Sequence, residues 1–143
     1  MTDSKQLDQA TTAKIKKLCA DGYSLYDLGD FKAALRTFYQ AWVLLPKPQI
    51  DFEQSGWVLT SIGDTYFRLG QYQQSLEAIS SALHCVNHTE NPFLLLRQGQ
   101  CLFDQQQLPA ARKALFKAYQ NAGITLFEKE PAIYLNSIED LIA

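Results

Sequence analysis

Apolar residues recur along this chain at spacings of three and four, as in Leu18, Gly22 and Leu25 and again in Phe31, Leu35 and Phe38, with no sustained alternation of the kind a half-buried strand shows. The pattern predicts an all-α protein. Gly29-Asp30, Gly70-Gln71 and Gln105-Gln106-Gln107 interrupt the periodicity where tight turns belong, dividing the chain into three helical hairpins. The first is expected at residues 5–28 and 31–45, the second at 52–69 and 72–85, the third at 92–105 and 108–121. Helix starts carry their own marks: Asp51 with Gln54 has the spacing of a capping box, Asn91 precedes Pro92, and Pro109 falls in a first turn where its missing N–H costs nothing.

A second regularity lies over the first. Gly22, Gly29, Ala34 and Ala41 repeat as Gly63, Gly70, Ser75 and Ala82 and as Gly99, Gln106, Ala111 and Ala118, so each hairpin has one small residue on its first helix and two on its second. Small residues at fixed places let the two helices of each hairpin approach closely. Such a unit cannot bury its apolar face alone, so neighbours stack and the ends need covers. Residues 124–143 read as the C-terminal cover: Pro131 opens a last helix with the stripe Tyr134, Leu135, Ile138, Leu141 and Ile142. At the other end, polar residues from Lys5 to Lys14 extend the first helix. Pro46 and Pro48 hold an extended connection between the first two hairpins. The charge runs Glu128-Lys129-Glu130 and Glu139-Asp140 read as solvated faces.

Leu59, Ile62, Gly63 and Tyr66 occupy the W-x2-L-G-x2-Y places of the tetratricopeptide repeat, Ala34 and Phe38 its A-x3-F place and Pro46 its closing proline. The chain resembles that family over residues 15–122. The resemblance implies one domain spanning residues 1–143, a right-handed α-solenoid of three hairpins (residues 5–45, 52–85 and 92–121) with a C-terminal cap, and a role in binding other proteins. The third repeat departs from the pattern, with Gln106 and Leu108 where glycine and an aromatic are common. The whole chain, tail included, is also similar to small bacterial tetratricopeptide proteins. The stretch ENPFLLLRQGQCLFDQQQLPAARKAL resembles the translocator chaperones of type III secretion systems in architecture.

Composition narrows the function classes. At 47% hydrophobic and 20% charged the chain can bury a core, so disorder is set aside. A net charge of -2 with mixed signs offers no basic face for nucleic acid and no polybasic membrane patch. The polar N-terminus and the lack of a run of ~20 apolar residues lead to the expectation of a soluble, cytoplasmic protein. Cys19, Cys85 and Cys101 read as reduced thiols acting as small buried hydrophobes. His84 and His88 flank Cys85 without a fourth ligand and read as solvent-facing helix-end residues. Neither catalysis, a metal nor a cofactor is expected.

On the first helices, a second face would turn to the concave side of a solenoid. It carries Lys16, Cys19, Tyr23, Tyr26 and Asp27, then Trp57, Thr60, Asp64, Phe67 and Arg68, then Phe93, Leu96, Gln100, Phe103 and Asp104. Six large rings on such a face need a cover, either the protein's own curvature and tail or a partner. The functional expectation is a groove in which Tyr23, Tyr26, Trp57, Phe67, Phe93 and Phe103 anchor a segment of another protein while Asp64, Arg68, Arg97 and Gln100 fix its polar groups. The lysine and asparagine clamp by which some family members hold a chaperone's C-terminal carboxylate has Cys19 and Tyr23 at its places here. An adaptor is therefore the leading reading, with a secretion-type chaperone or a toxin-neutralising partner as alternatives and monomer or dimer left open.

Overall fold

In the computed structural model, which describes residues 5–142, every regular element is helical. The first four residues, and Ala143 at the end of the expected C-terminal cover, lie outside the described residues. The six long helices are α1 (Gln9–Asp27), α2 (Phe31–Trp42), α3 (Glu53–Arg68), α4 (Tyr72–Leu83), α5 (Pro92–Asp104) and α6 (Leu108–Ala122). Two short ones follow, α7 (Ala132–Asn136) and α8 (Glu139–Ile142), and 3-10 turns occupy Gln49–Asp51 and Ile124–Phe127. The chain forms two compact units, Met1–Thr89 with two hairpins and Glu90–Ala143 with the third hairpin and the tail.

Each hairpin closes on its glycine. A Cβ built on Gly22 would stand 2.4 Å from the Phe38 ring, one on Gly63 2.8 Å from Ile79 Cγ1, and one on Gly99 2.5 Å from Leu115 Cγ. In all three the opposing residue comes sixteen positions later, so one crossing geometry recurs. The small residue twelve positions after each glycine is fully buried, and in the second hairpin the Ser75 hydroxyl donates to the Gly63 carbonyl at 2.7 Å. In the first unit Ile15, Phe38, Phe52, Val58 and Ile62 complete a core with Ala34 and Ala41.

The turns are also one device used three times. After α1, Gly29 at φ 82° lets the Asp30 amide donate to the Leu25 carbonyl at 3.0 Å, and after α3 Gly70 at φ 74° gives Gln71 the same bond to Tyr66. This is the Schellman arrangement, in which a left-handed residue turns the chain back onto the last carbonyls of the helix. After α5 the left-handed position falls to Gln106 at φ 63°, and the Gln107 amide still reaches the Leu102 carbonyl at 2.9 Å. The degenerate third turn keeps its geometry and bears the strain of a side chain in that region.

Several local expectations are corrected. Helix α1 starts at Gln9, capped by the Asp8 carboxylate on the Thr11 amide, so residues 5–8 precede the helix. Asp51 does not cap α3, whose N-cap is Phe52. Its carboxylate pairs with Lys5 at 3.0 Å, and its carbonyl accepts from the Lys5 amide. Asn91 caps α5 as read, accepting from the amides of Phe93 and Leu94. The linker after Pro48 tightens into a 3-10 turn before the buried Phe52. The single terminal helix is broken at Ser137 and Ile138, although Tyr134 and Ile138 are buried as the stripe requires.

His88 is buried rather than solvent-facing, because its ring fills the space above Gly56, where an added Cβ would stand 2.0 Å from Cδ2. Its Nε2 lies 3.0 Å from the Glu53 carbonyl, and since a carbonyl only accepts, Nε2 carries the hydrogen. His84 is exposed as expected, with Nδ1 2.7 Å from the Ser80 carbonyl.

Two substitutions test these readings. Gln106→Gly removes the left-handed strain and is expected to stabilise the protein by about 1 kcal/mol in urea denaturation, the strain relief exceeding the entropy lost. Gly56→Ala is expected to destabilise by about 1–3 kcal/mol through overpacking against His88. The double variant Gly56→Ala/His88→Ala should then cost no more than His88→Ala alone, a coupling that a double-mutant cycle reads directly.

Candidate interaction faces

In the first unit α1 and α3 share a surface built by side chains that sequence reading had placed together. The Arg68 guanidinium donates from Nε to the Tyr26 hydroxyl at 2.7 Å and lies 5.8 Å from the centre of that ring. Tyr26 meets Tyr23 with ring centres 5.5 Å apart, and Tyr23 meets Phe38 edge-on at 5.1 Å. The Lys16 ammonium stands 5.9 Å from the Trp57 ring centre, and Phe67 leans on Tyr72 at 5.8 Å. Tyr23, Tyr26, Trp57 and Phe67 are half-buried, so each ring is held from one side by its own unit, while Lys16 and Arg68 are exposed. Asp64 differs from the expectation of an accessible polar contact, being 5% exposed.

The tyrosines register this environment. Burial first, with the Asp64 carboxylate adding to it, pushes the Tyr23 phenol up to about 12, against a smaller opposing effect of a hydrogen bond with Ser61. Burial and the same carboxylate raise Tyr26, opposed by Arg68. Away from this face, the Tyr39 and Tyr66 hydroxyls lie 3.0 Å apart at the mouth of an open pocket of about 240 Å³ that Trp42, Leu59 and Ile62 also line. Sequence reading missed this pocket, since an isolated tyrosine on α2 carries no periodic signal.

In the second unit the corresponding residues have an occupant from the same chain. Arg97 is 3% exposed and Gln100 0%. Arg97 Nη1 and Gln100 Nε2 both donate to Glu130 Oε1, at 2.5 and 2.6 Å, and Arg97 also donates to Gln100 Oε1 at 2.7 Å. One turn along, the Tyr134 hydroxyl donates to the Asp104 carboxylate at 3.0 Å while its ring meets Phe103 edge-on at 5.4 Å. The Arg97 guanidinium also lies 4.8 Å from the Phe93 ring centre. Arg97, Gln100 and Phe103 are thus engaged by the tail, and Glu130 is a half-buried partner rather than part of a solvated charge run. Asp140 stays exposed as expected and accepts a two-oxygen contact from Arg112, which also donates to the Ser137 carbonyl at 2.9 Å. The lone sequence signal for this docking was the stripe through Tyr134.

Among the described residues no cluster of three or more histidine, cysteine, aspartate or glutamate side chains is placed to hold a metal, and no helix is long and apolar enough to cross a membrane. Cys19, Cys85 and Cys101 are all free, Cys19 half-buried and the other two buried.

The Tyr23 phenol gives the face a pH signature. Its folded pKa lies above its unfolded value near 10, so the stabilisation is fully present below pH 10 and is lost as pH rises toward about 12. Urea denaturation should show stability falling in that window with a Tyr23 contribution of at most about 1.4 kcal/mol per pH unit. Tyr23→Phe should flatten the fall. An unchanged slope would remove Tyr23 from the buried face.

The sequence model of the tetratricopeptide repeat family matches residues 60–125. Compared with curated proteins, the sequence matches none. Among solved structures, the chain is similar to the Yersinia enterocolitica type III secretion chaperone SycD in complex with a peptide of the translocator YopD, at a TM-score of 0.69 and 18% identity over 94% of this chain and 97% of that one. It is similar to PcrH from Pseudomonas aeruginosa at a TM-score of 0.65 and 20% identity, covering 97% of each chain. It is also similar to the first TPR of Spaghetti (RPAP3) bound to an HSP90 peptide, at 0.68 and 16% over 91% and 94%. Residues 60–125 thus carry the sequence pattern of the tetratricopeptide repeat, and the glycine crossing and turn of that repeat are already present in the hairpin before them.

Proposed function

We propose that the protein is a non-catalytic protein-binding module that takes a segment of a partner on the face shared by α1 and α3. The observation that carries this reading is the set of half-buried rings Tyr23, Tyr26, Trp57 and Phe67, tied together by Arg68 and flanked by Lys16. Rings fixed from one side and open on the other add apolar contact at little entropic cost, and aromatic and arginine side chains dominate binding energy at interfaces. The similar structures that hold peptides of other proteins support a protein segment as the ligand class. Free, reduced cysteines fit a cytoplasmic setting.

A secretion-type chaperone is the second reading, favoured by the likeness to SycD and to PcrH, one of whose structures holds the chaperone binding region of PopB. The two readings part on the client. An adaptor recovers a segment of a folded protein, whereas a chaperone recovers one aggregation-prone client whose solubility depends on it, and a toxin-neutralising protein recovers a toxin.

The test is a pull-down from native lysate with the purified protein beside Trp57→Ala/Phe67→Ala, read by mass spectrometry. A partner lost on the variant is expected, and each single change should then weaken binding of that partner by about 2 kcal/mol or more with helicity unchanged. Recovery of the same partners by both proteins would return these rings to a packing role.

A further inference from the structure

The α5 face is built for an anion and already holds one. Under the docked tail Arg97 is 3% exposed and Gln100 beside it is fully buried, so whatever segment covers this face must bring a carboxylate to answer the guanidinium. Glu130 answers it, and Tyr134 four residues on supplies a ring against Phe103 and a hydroxyl to Asp104. These are side-chain anchors of the kind that fix one peptide on another protein.

The segment that brings them is weakly held together in itself. It leaves α6 at Gly123, whose φ of 78° and ψ of -170° suit only glycine, and its two helices have five and four residues, far below the length at which an isolated helix persists. Phe127, Tyr134 and Ile138 are buried on docking, while Ile124 and Ile133 stay 53% exposed and Leu141 41% exposed. An element with strong anchors, little internal structure and a glycine hinge belongs to the low end of local stability.

We propose that the α5 face is a peptide site selective for an acidic residue followed four positions later by an aromatic one, and that the chain's own Glu130 and Tyr134 fill it in cis. A partner segment of the same chemistry binds there by displacing the tail. Because the tail is tethered, it competes at an effective concentration in the millimolar range, so free segments bind the closed chain weakly. This site is independent of the α1 and α3 face, and its failure leaves that reading untouched.

The test uses a fluorescein-labelled synthetic peptide of residues 124–142 titrated into the full-length chain and into full-length Glu130→Lys/Tyr134→Ala, read by anisotropy. The variant is expected to bind the peptide at least tenfold more tightly than the unaltered chain, and a peptide carrying the same two changes is expected not to bind. Equal binding by both chains overturns the proposal. A second measurement needs no variant: hydrogen exchange of the unaltered chain should show the bonded amides of Tyr134, Ile138 and Leu141 exchanging at least tenfold faster than those in the middle of α6. Tail amides that exchange only as slowly as α6 make the tail a permanent part of the fold and also overturn it.

Discussion

Everything in this molecule depends on two helices crossing at a residue without a side chain. At Gly22, Gly63 and Gly99 the facing helix brings Phe38, Ile79 and Leu115 so near that a Cβ would overlap them. That proximity lets the small residues at Ala34, Ser75 and Ala111 disappear from solvent entirely, and it fixes how each first helix is rotated about its axis. Rotation is the functional variable. With the glycine turned inward, the residue after it and the residue three further on share a second face, which is how Tyr23 with Tyr26, Asp64 with Phe67 and Gln100 with Phe103 come to stand at matching positions.

The same rotation sets which side chains of α5 the tail meets. Once Gly99 is committed to Leu115, Arg97 and Gln100 are turned to the face that the tail covers, and a guanidinium buried under it must find an acid. The geometry makes Glu130 a requirement of the third hairpin's sequence rather than an ornament of the tail. Arg112 repeats the logic at lower stakes from α6: its partner Asp140 is exposed, so that pair adds little stability and chiefly orients the end of the chain.

How much of this could be read in the sequence follows from how local each cause is. The glycines, the two following small residues and the turn positions were legible because they repeat at fixed offsets, and the helix bounds fell within a few residues for the same reason. Gln106 concealed its left-handed conformation, since the turn asks for a backbone angle and tolerates glutamine at a cost. His88 looked like a surface residue because the cavity it fills is made by the absence of a side chain thirty-two residues earlier, at Gly56. Glu130 sat in a charge run that reads as solvated, and its partner lies thirty-three residues away. Long-range pairing of a polar residue leaves no periodic trace.

The two faces differ in where they place their charges. Thirty-six residues separate corresponding positions of α3 and α5, so Ser61 stands at the register of Arg97, Asp64 at that of Gln100, and Arg68 at that of Asp104. The charges are reversed between them: α5 has its cation buried and its acid exposed, whereas α3 has its acid buried, close enough to Tyr23 and Tyr26 to raise both phenols, and its cation exposed. A segment whose acid satisfies Arg97 would set that acid against Asp64 if placed in the same register on α3. Charge therefore sets the tail that suits α5 against α3, and on the proposed reading a segment taken by the α1 and α3 face has different chemistry, led by apolar contact with its rings and an acid near Arg68 or Lys16.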